Sequence, residues 1–229
     1  MQLAPFRPVH LIRSFVRREG RLTVGQQRAL DELWPLFGVE PAGLIDLDVI
    51  FGRRAPRILE IGFGNGNTLI HLAQANPDTD YLGIEVHRPG VGHLLLEIKL
   101  WEVANLRLIK EDAVQVFSNN IPDAGLDQIL VLFPDPWPKQ RHHKRRLVQP
   151  EFIELMAAKL KAGGTIQMAT DWESYAQYML RVMNGSNSFR NLAGTGNFAE
   201  RPTVLPVTRF EHRGKRLGHN IWNLYYQRI

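Results

Sequence analysis

Residues 57–76 read RILEIGFGNGNTLIHLAQAN. RILEIG (57–62) has the length and β-branched content of a strand, and GNTLIHLAQAN has the spacing of a helix, stopped near Pro77. Between them stand three glycines at alternate positions, Gly62, Gly64 and Gly66. Glycine there lets the backbone turn sharply and lets a ligand approach it closely. A strand that feeds a helix through such a turn is the opening unit of a parallel sheet covered by helices.

The pattern repeats outward from this unit. YLGIE (81–85) reads as a second strand and VGHLLLEIKLWEVA (91–104) as a helix with apolar residues three and four apart. LRLIKED (106–112) is a third strand and LDQILVLF (126–133) a fourth. PEFIELMAAKLKAGG (150–164) reads as a helix with proline at its start and glycine past its end. GTIQMATD (164–171) is a fifth strand, WESYAQYMLRVMN (172–184) a helix and NIWNLYYQRI (220–229) a last strand. The expected fold is α/β: a doubly wound, mostly parallel sheet with helices on both faces and an antiparallel C-terminal strand. Ligands of such sheets sit outside the carboxyl ends of the strands. Acids stand at each of those ends: Glu60, Glu85, Asp112, Asp135 and Asp171. Each alone reads more readily as a helix cap or a solvated charge; five at successive ends describe the rim of one cleft.

The loop does not complete a dinucleotide fingerprint, because Asn67 stands where its third small residue belongs, and no P-loop is present. E-x-G-x-G-x-G over residues 60–66 resembles the first motif of S-adenosylmethionine-dependent methyltransferases with a Rossmann-like fold. That resemblance gives the acids roles. Glu60 would lie beside the methionine amine, Glu85 would accept both ribose hydroxyls, and Asp112 either accepts from the adenine amine or caps the next helix. With Gly62, Gly64, Gly66 and Asp135 they form the expected donor site.

LFPDPWPKQRHHKRR (132–146) sets Asp135 among three prolines and Trp137, then runs into five Lys or Arg and two His. Prolines at 134, 136 and 138 are expected to force extended geometry on their neighbours and stiffen the corner. Trp137 reads as a core wedge rather than a stacking platform. The run over 139–146 reads as a phosphate-binding surface beside the corner. FPDPWPK closely resembles the bacterial tRNA (guanine-N7-)-methyltransferase family. IRSFVRREGRLTVGQQRAL (12–30), EIGFGNG, GIEVHRPGVG, MATDWE and TRFEHRGKRLGHNIW agree with it, so the likeness spans nearly the whole chain.

The resemblance implies methyl transfer from S-adenosyl-L-methionine to N7 of a guanosine in the tRNA variable loop, with Asp135 as the catalytic carboxylate. It implies substrate contacts from Lys139, Arg141, Lys144, Arg145, Arg146, Asp171, Thr208, Arg209, Phe210 and Glu211. Without it, Asp171 reads as a helix cap and Glu211 as a surface ion pair with Arg213 or Lys215. Residues and spacing alone reach only an adenosylmethionine enzyme acting on something anionic. An exocyclic-amine methyltransferase would be expected to carry an adjacent Pro-Pro, whereas prolines alternate here. An RNA-binding protein that had lost catalysis would not be expected to keep the glycine loop and its acids together.

Composition agrees. The 229 residues suit one large domain or two small ones, 44% are hydrophobic, and the formal charge is only +5. The expected division is a basic arm over 1–30, carrying Arg7, Arg13, Arg17, Arg18, Arg21 and Arg28, and a single domain over 31–229. The absence of cysteine excludes disulfides and thiolate metal sites. No metal is expected, no apolar run reaches bilayer length, and no obligate protein partner is evident. The Arg-rich start reads as the arm of a cytoplasmic protein rather than a transit peptide.

Overall fold

The computed structural model describes Phe15 and residues 20–229, with only the backbone of Arg209, Phe210 and Lys215. Arg7, Arg13, Arg17 and Arg18 lie outside the described residues. In chain order the elements are α1 (Val24–Glu32), α2 (Trp34–Phe37), α3 (Leu47–Phe51), β1 (Arg57–Ile61), α4 (Asn67–Ala75), β2 (Asp80–Ile84), α5 (Arg88–Leu100), β3 (Leu106–Ile109), α6 (Ala113–Asn119) and β4 (Leu126–Leu132). A 3-10 turn over Gln140–Arg145 follows, then α7 (Pro150–Lys159), β5 (Leu160–Thr170), α8 (Glu173–Asn184), β6 (Phe189–Asn191), α9 (Arg209–Arg216) and β7 (Trp222–Arg228).

The seven strands form one sheet in the order β3-β2-β1-β4-β5-β7-β6. The first five are parallel, and β7 runs antiparallel to both β5 and β6. In register, Ile61 faces Ile84 on one side and Val131 on the other. The loops after β1, β2 and β4 therefore leave the sheet side by side, at the point where the strand order reverses. Successive residues serve opposite faces: Ile129 and Val131 enter one apolar cluster, Leu130 and Leu132 the other. Burial on both faces makes these strands nearly continuous apolar runs.

The expected sheet is present, with three differences. The helix read in 150–164, with glycine past its end, already stops at Lys159, and Leu160 pairs with Leu126 in the sheet. Lys161 donates to both oxygens of Asp127 at 2.9 and 2.8 Å, which holds this segment extended. Gly163, at φ +77°, turns within the strand where the register shifts. The hairpin partner β6 carries too few residues for an alternating pattern. Its place is set by hydrogen bonding to β7. Helix α1 crosses the expected 30/31 division: Thr23 and Gln26 form a capping box, and Ala29 and Leu30 are buried. Among the described residues no helix is long and apolar enough to cross a membrane.

Candidate active site

The glycine loop after β1 holds Gly62, Gly64 and Gly66 at φ of +71°, +59° and +79°, where a side chain would be strained. A Cβ on Gly64 would meet nothing within 4 Å, because it would point into open cavity. A Cβ on Gly90 would lie 2.1 Å from the Gly64 carbonyl oxygen, so the first turn of α5 closes on the loop from behind.

Glu85 ties this loop to the next. Its Oε2 accepts from the Gly64 amide at 2.9 Å, and its Oε1 from Val86 and His87 at 2.7 and 2.9 Å. A carboxylate offers about four acceptor sites. Three backbone amides meet the Glu85 carboxylate here. Glu85 is a brace as well as an acceptor.

Glu60 is 3% exposed and its Oε2 has no hydrogen-bond partner. It lines a cavity of about 360 Å³ with Gly62, Gly64, Thr68, His87, Thr208 and Arg213. Burial, and after it the Glu85 carboxylate, push Glu60 up from 4.5 to about 8. A buried acceptor beside a glycine loop fits an ammonium group. Between pH 4.5 and 8 the folded chain keeps a proton here that the unfolded chain has lost. The stability from this group is thus complete below the unfolded value and is lost as pH rises through about 8. Glu60→Gln, which mimics the protonated form, should flatten the fall in urea midpoint between pH 5 and 9. Parallel pH profiles for parent and variant would refute the assignment.

A second cavity, of about 220 Å³, shares Gly62, Gly64, Leu132 and Phe133 with the first and is lined further by Glu85, Glu111 and Asp135. Asp112 caps α6, accepting from the Val114 amide at 2.9 Å, while its neighbours Glu111 and Ala113 face the cavity. The cap reading of Asp112 is the one realised. Glu111, adjacent in KEDA, is the acid that sequence reasoning passed over. Phe15 also lines this cavity.

The corner after β4 is stiff, but not in the expected way. Phe133 and Trp137, each followed by proline, have φ of +54° and +44° rather than extended values. Left-handed backbone at a bulky residue costs roughly 1–3 kcal/mol and persists only where surroundings enforce it. Asp135 lies between them, exposed, on the cavity wall. Trp137 is not the expected core wedge: it is half-buried, with the Arg145 guanidinium 5.0 Å from its ring and His142 edge-on at 5.7 Å.

The basic run divides in two. Lys139, Arg141 and Lys144 are exposed, and Arg145 is half-buried over Trp137. Arg146 corrects the expected phosphate contact, because it is 3% exposed and its Nε donates to the Pro136 carbonyl at 2.9 Å.

Across the cleft, Asp171 does not cap α8; Trp172 holds that position without a side-chain bond. Instead Asp171 packs under Gly214 of α9 and lies 3.6 Å from His219. Thr208 caps α9, accepting from the Glu211 amide at 3.0 Å, and lines the Glu60 cavity. The side chains of Arg209 and Phe210 lie outside the described residues. Glu211 is buried and pairs with Arg201 at 2.8 Å. Among the described residues Arg213, one turn after Arg209, lines the cavity, and only that helical spacing hinted at it.

A parallel sheet that opens at its strand reversal, with a glycine loop and a buried carboxylate aimed at the opening, defines a Rossmann-like methyltransferase. The family model Methyltransf_4, described as "Putative methyltransferase", matches residues 54–224. A tRNA (guanine-N(7)-)-methyltransferase of Ectopseudomonas mendocina is 54% identical over 95% of this chain and 92% of its own length. One of the same description from Alkalilimnicola ehrlichii is 56% identical over 95% and 92%. The chain belongs to the tRNA (guanine-N7-)-methyltransferase family. The fold is also that of a SAM-dependent methyltransferase from Aquifex aeolicus, with a TM-score of 0.53 at 14% identity over 89% of this chain and 98% of that one.

Proposed function

We propose that this chain methylates N7 of a guanosine in the variable loop of tRNA, with S-adenosyl-L-methionine as donor, in the cytoplasm. The observation that carries the donor assignment is the unpartnered, buried Glu60 oxygen beside the glycine loop. The substrate assignment rests on the family and on the FPDPWPK corner.

When bound, the donor supplies an electrophilic methyl group on a sulfonium. Glu60 would hold the donor's ammonium, the Gly64 backbone would admit its chain, and Glu85 would accept from a ribose hydroxyl. Guanine N7 carries an in-plane lone pair and no proton. That lone pair would accept the methyl group, with the sulfur–methyl bond pair left on the donor's sulfur. No general base is required. Positive charge moves onto the purine, and Asp135 on the cavity wall would stabilise it there. Asp171 supplies an acceptor for guanine N–H groups near His219 and Gly214. Lys139, Arg141 and Lys144 would meet phosphates.

The test is incubation of the protein with tRNA and methyl-labelled donor, followed by nucleoside analysis. Label in N7-methylguanosine is expected; label confined to an exocyclic amine, or none, would overturn the proposal.

Alanine at Lys139, Arg141 and Lys144 together should weaken tRNA binding. It should reduce the slope of log affinity against log salt by up to about 0.9 for each phosphate no longer neutralised. Affinity for S-adenosylhomocysteine should hardly change. An unaltered slope would reduce the run to a solvated surface.

A further inference from the structure

Arg146 is a buried cation, and no carboxylate pairs with it among the described residues. Burial of an unpaired charge is costly. What surrounds it is specific. Its guanidinium carbon lies 4.7 Å from the Tyr175 ring centroid and 5.3 Å from that of Tyr178. Nη2 meets His143 Nε2 at 3.2 Å, while Nε donates to the carbonyl of Pro136. The rings are themselves anchored. Tyr175 Oη accepts from the Val148 amide at 3.2 Å, and Tyr178 Oη donates to Gln149 Oε1 at 2.6 Å. Gln149 in turn donates to the Arg146 and His143 carbonyls at 3.2 and 3.0 Å. The guanidinium is therefore fixed from α8 and reaches out to the peptide between Asp135 and Trp137.

That peptide lies in the strained corner, with left-handed backbone at Phe133 and Trp137. Strain of this kind survives only where neighbours over-determine it. We propose that Arg146 is a positioning residue: clamped on Tyr175 and Tyr178, it holds the Pro136 carbonyl and so fixes where the Asp135 carboxylate sits in the cavity. This rests on the methyl-transfer reading for what Asp135 does; the clamp itself rests on the geometry alone. A Lys at this position keeps the charge but has neither the planar fork nor the ring stacking that aim it.

The experiment compares the full-length parent, Arg146→Lys, Asp135→Asn and the double variant. With saturating donor and tRNA, Arg146→Lys should slow single-turnover methyl transfer roughly ten- to a hundred-fold, the loss expected from a small misplacement. Its tRNA affinity and salt slope should match the parent. In the Asp135→Asn background the same change should cost far less, because the two act as one unit.

A lowered melting temperature with an unchanged rate per folded molecule would make Arg146 merely structural and overturn the proposal. So would an equal rate loss in both backgrounds, or a smaller salt slope, which marks a phosphate contact. Hydrogen exchange at the amides of Phe133, Asp135 and Trp137 should rise in Arg146→Lys. Unchanged protection refutes the clamp even if the parent transfers no methyl to tRNA, an outcome that instead sinks the functional reading. If Arg146→Lys does not fold, Tyr178→Leu leaves the guanidinium in place and removes one of its rings. It should show the same pattern with a smaller loss, and parental rate and protection in that variant would overturn the clamp.

Discussion

Asp135→Asn should lower the single-turnover rate of methyl transfer to tRNA by roughly 10²–10³, the cost of removing one preorganised electrostatic contact. The substitution keeps the shape of the corner and removes its charge. Asp135 is exposed on the cavity rim, so it carries no core packing, and the melting temperature should stay near that of the parent. Bound purine and donor must supply the dry surroundings that give the carboxylate its weight, because the protein alone leaves it open to water. The pH profile gives an independent check. Guanine N7 has no proton to lose, so the rate at saturating donor should not climb steeply above neutral pH, as it would with an essential base titrating there. Transfer at the parental rate by Asp135→Asn would end this mechanism.

Gly64→Val should abolish most donor affinity. The added side chain enters the cavity itself, at a φ of +59° that valine tolerates poorly. Calorimetric titration with S-adenosylhomocysteine should show a fall of roughly a hundred-fold or more, equivalent to about 2.8 kcal/mol. Glu85→Ala acts on the same site from the other side. It removes the acceptor for the Gly64, Val86 and His87 amides as well as for the ribose hydroxyl proposed to meet it. Bonds to a charged acceptor are worth about 1.5–3 kcal/mol each, so losing one to the donor alone predicts at least a tenfold weaker affinity. Parental affinity in both variants, with the fold intact, would mean the donor lies elsewhere.

The architecture was legible because its signals are local and repeated. Short, mostly apolar strand patterns at Arg57–Ile61, Asp80–Ile84 and Leu126–Leu132 lie between helical spacings, and chain connectivity then leaves few sheets to build. The candidate site was legible for a related reason. Three alternate glycines and the acids at strand ends are fixed by backbone demands that sequence position reports directly.

Three misreadings share one cause. Arg146 and Lys144 stand two residues apart in one basic run, yet one is buried against Tyr175 and Tyr178 and the other is exposed. Leu160 continues a helical pattern but pairs with Leu126 across the sheet. Without the family resemblance Glu211 reads as a surface charge, yet it is buried on Arg201. In each case the deciding partner is distant in sequence or brought near by a turn, and no local pattern names it.

The sequence by itself determined the strand–glycine–helix unit, the parallel sheet, the family and the five acids at the strand ends. It did so because covalent spacing and the periodicities of helix and strand dictate which residues share an end or a face. The tertiary structure decided what each acid and cation is free to do. It spends Glu85 mostly on backbone amides, turns Asp112 into a cap, leaves one oxygen of Glu60 buried without a partner, and seals Arg146 beneath the corner. The physical reason is that charge and hydrogen-bonding capacity take their meaning from desolvation and from partners, and both are set only when distant segments pack.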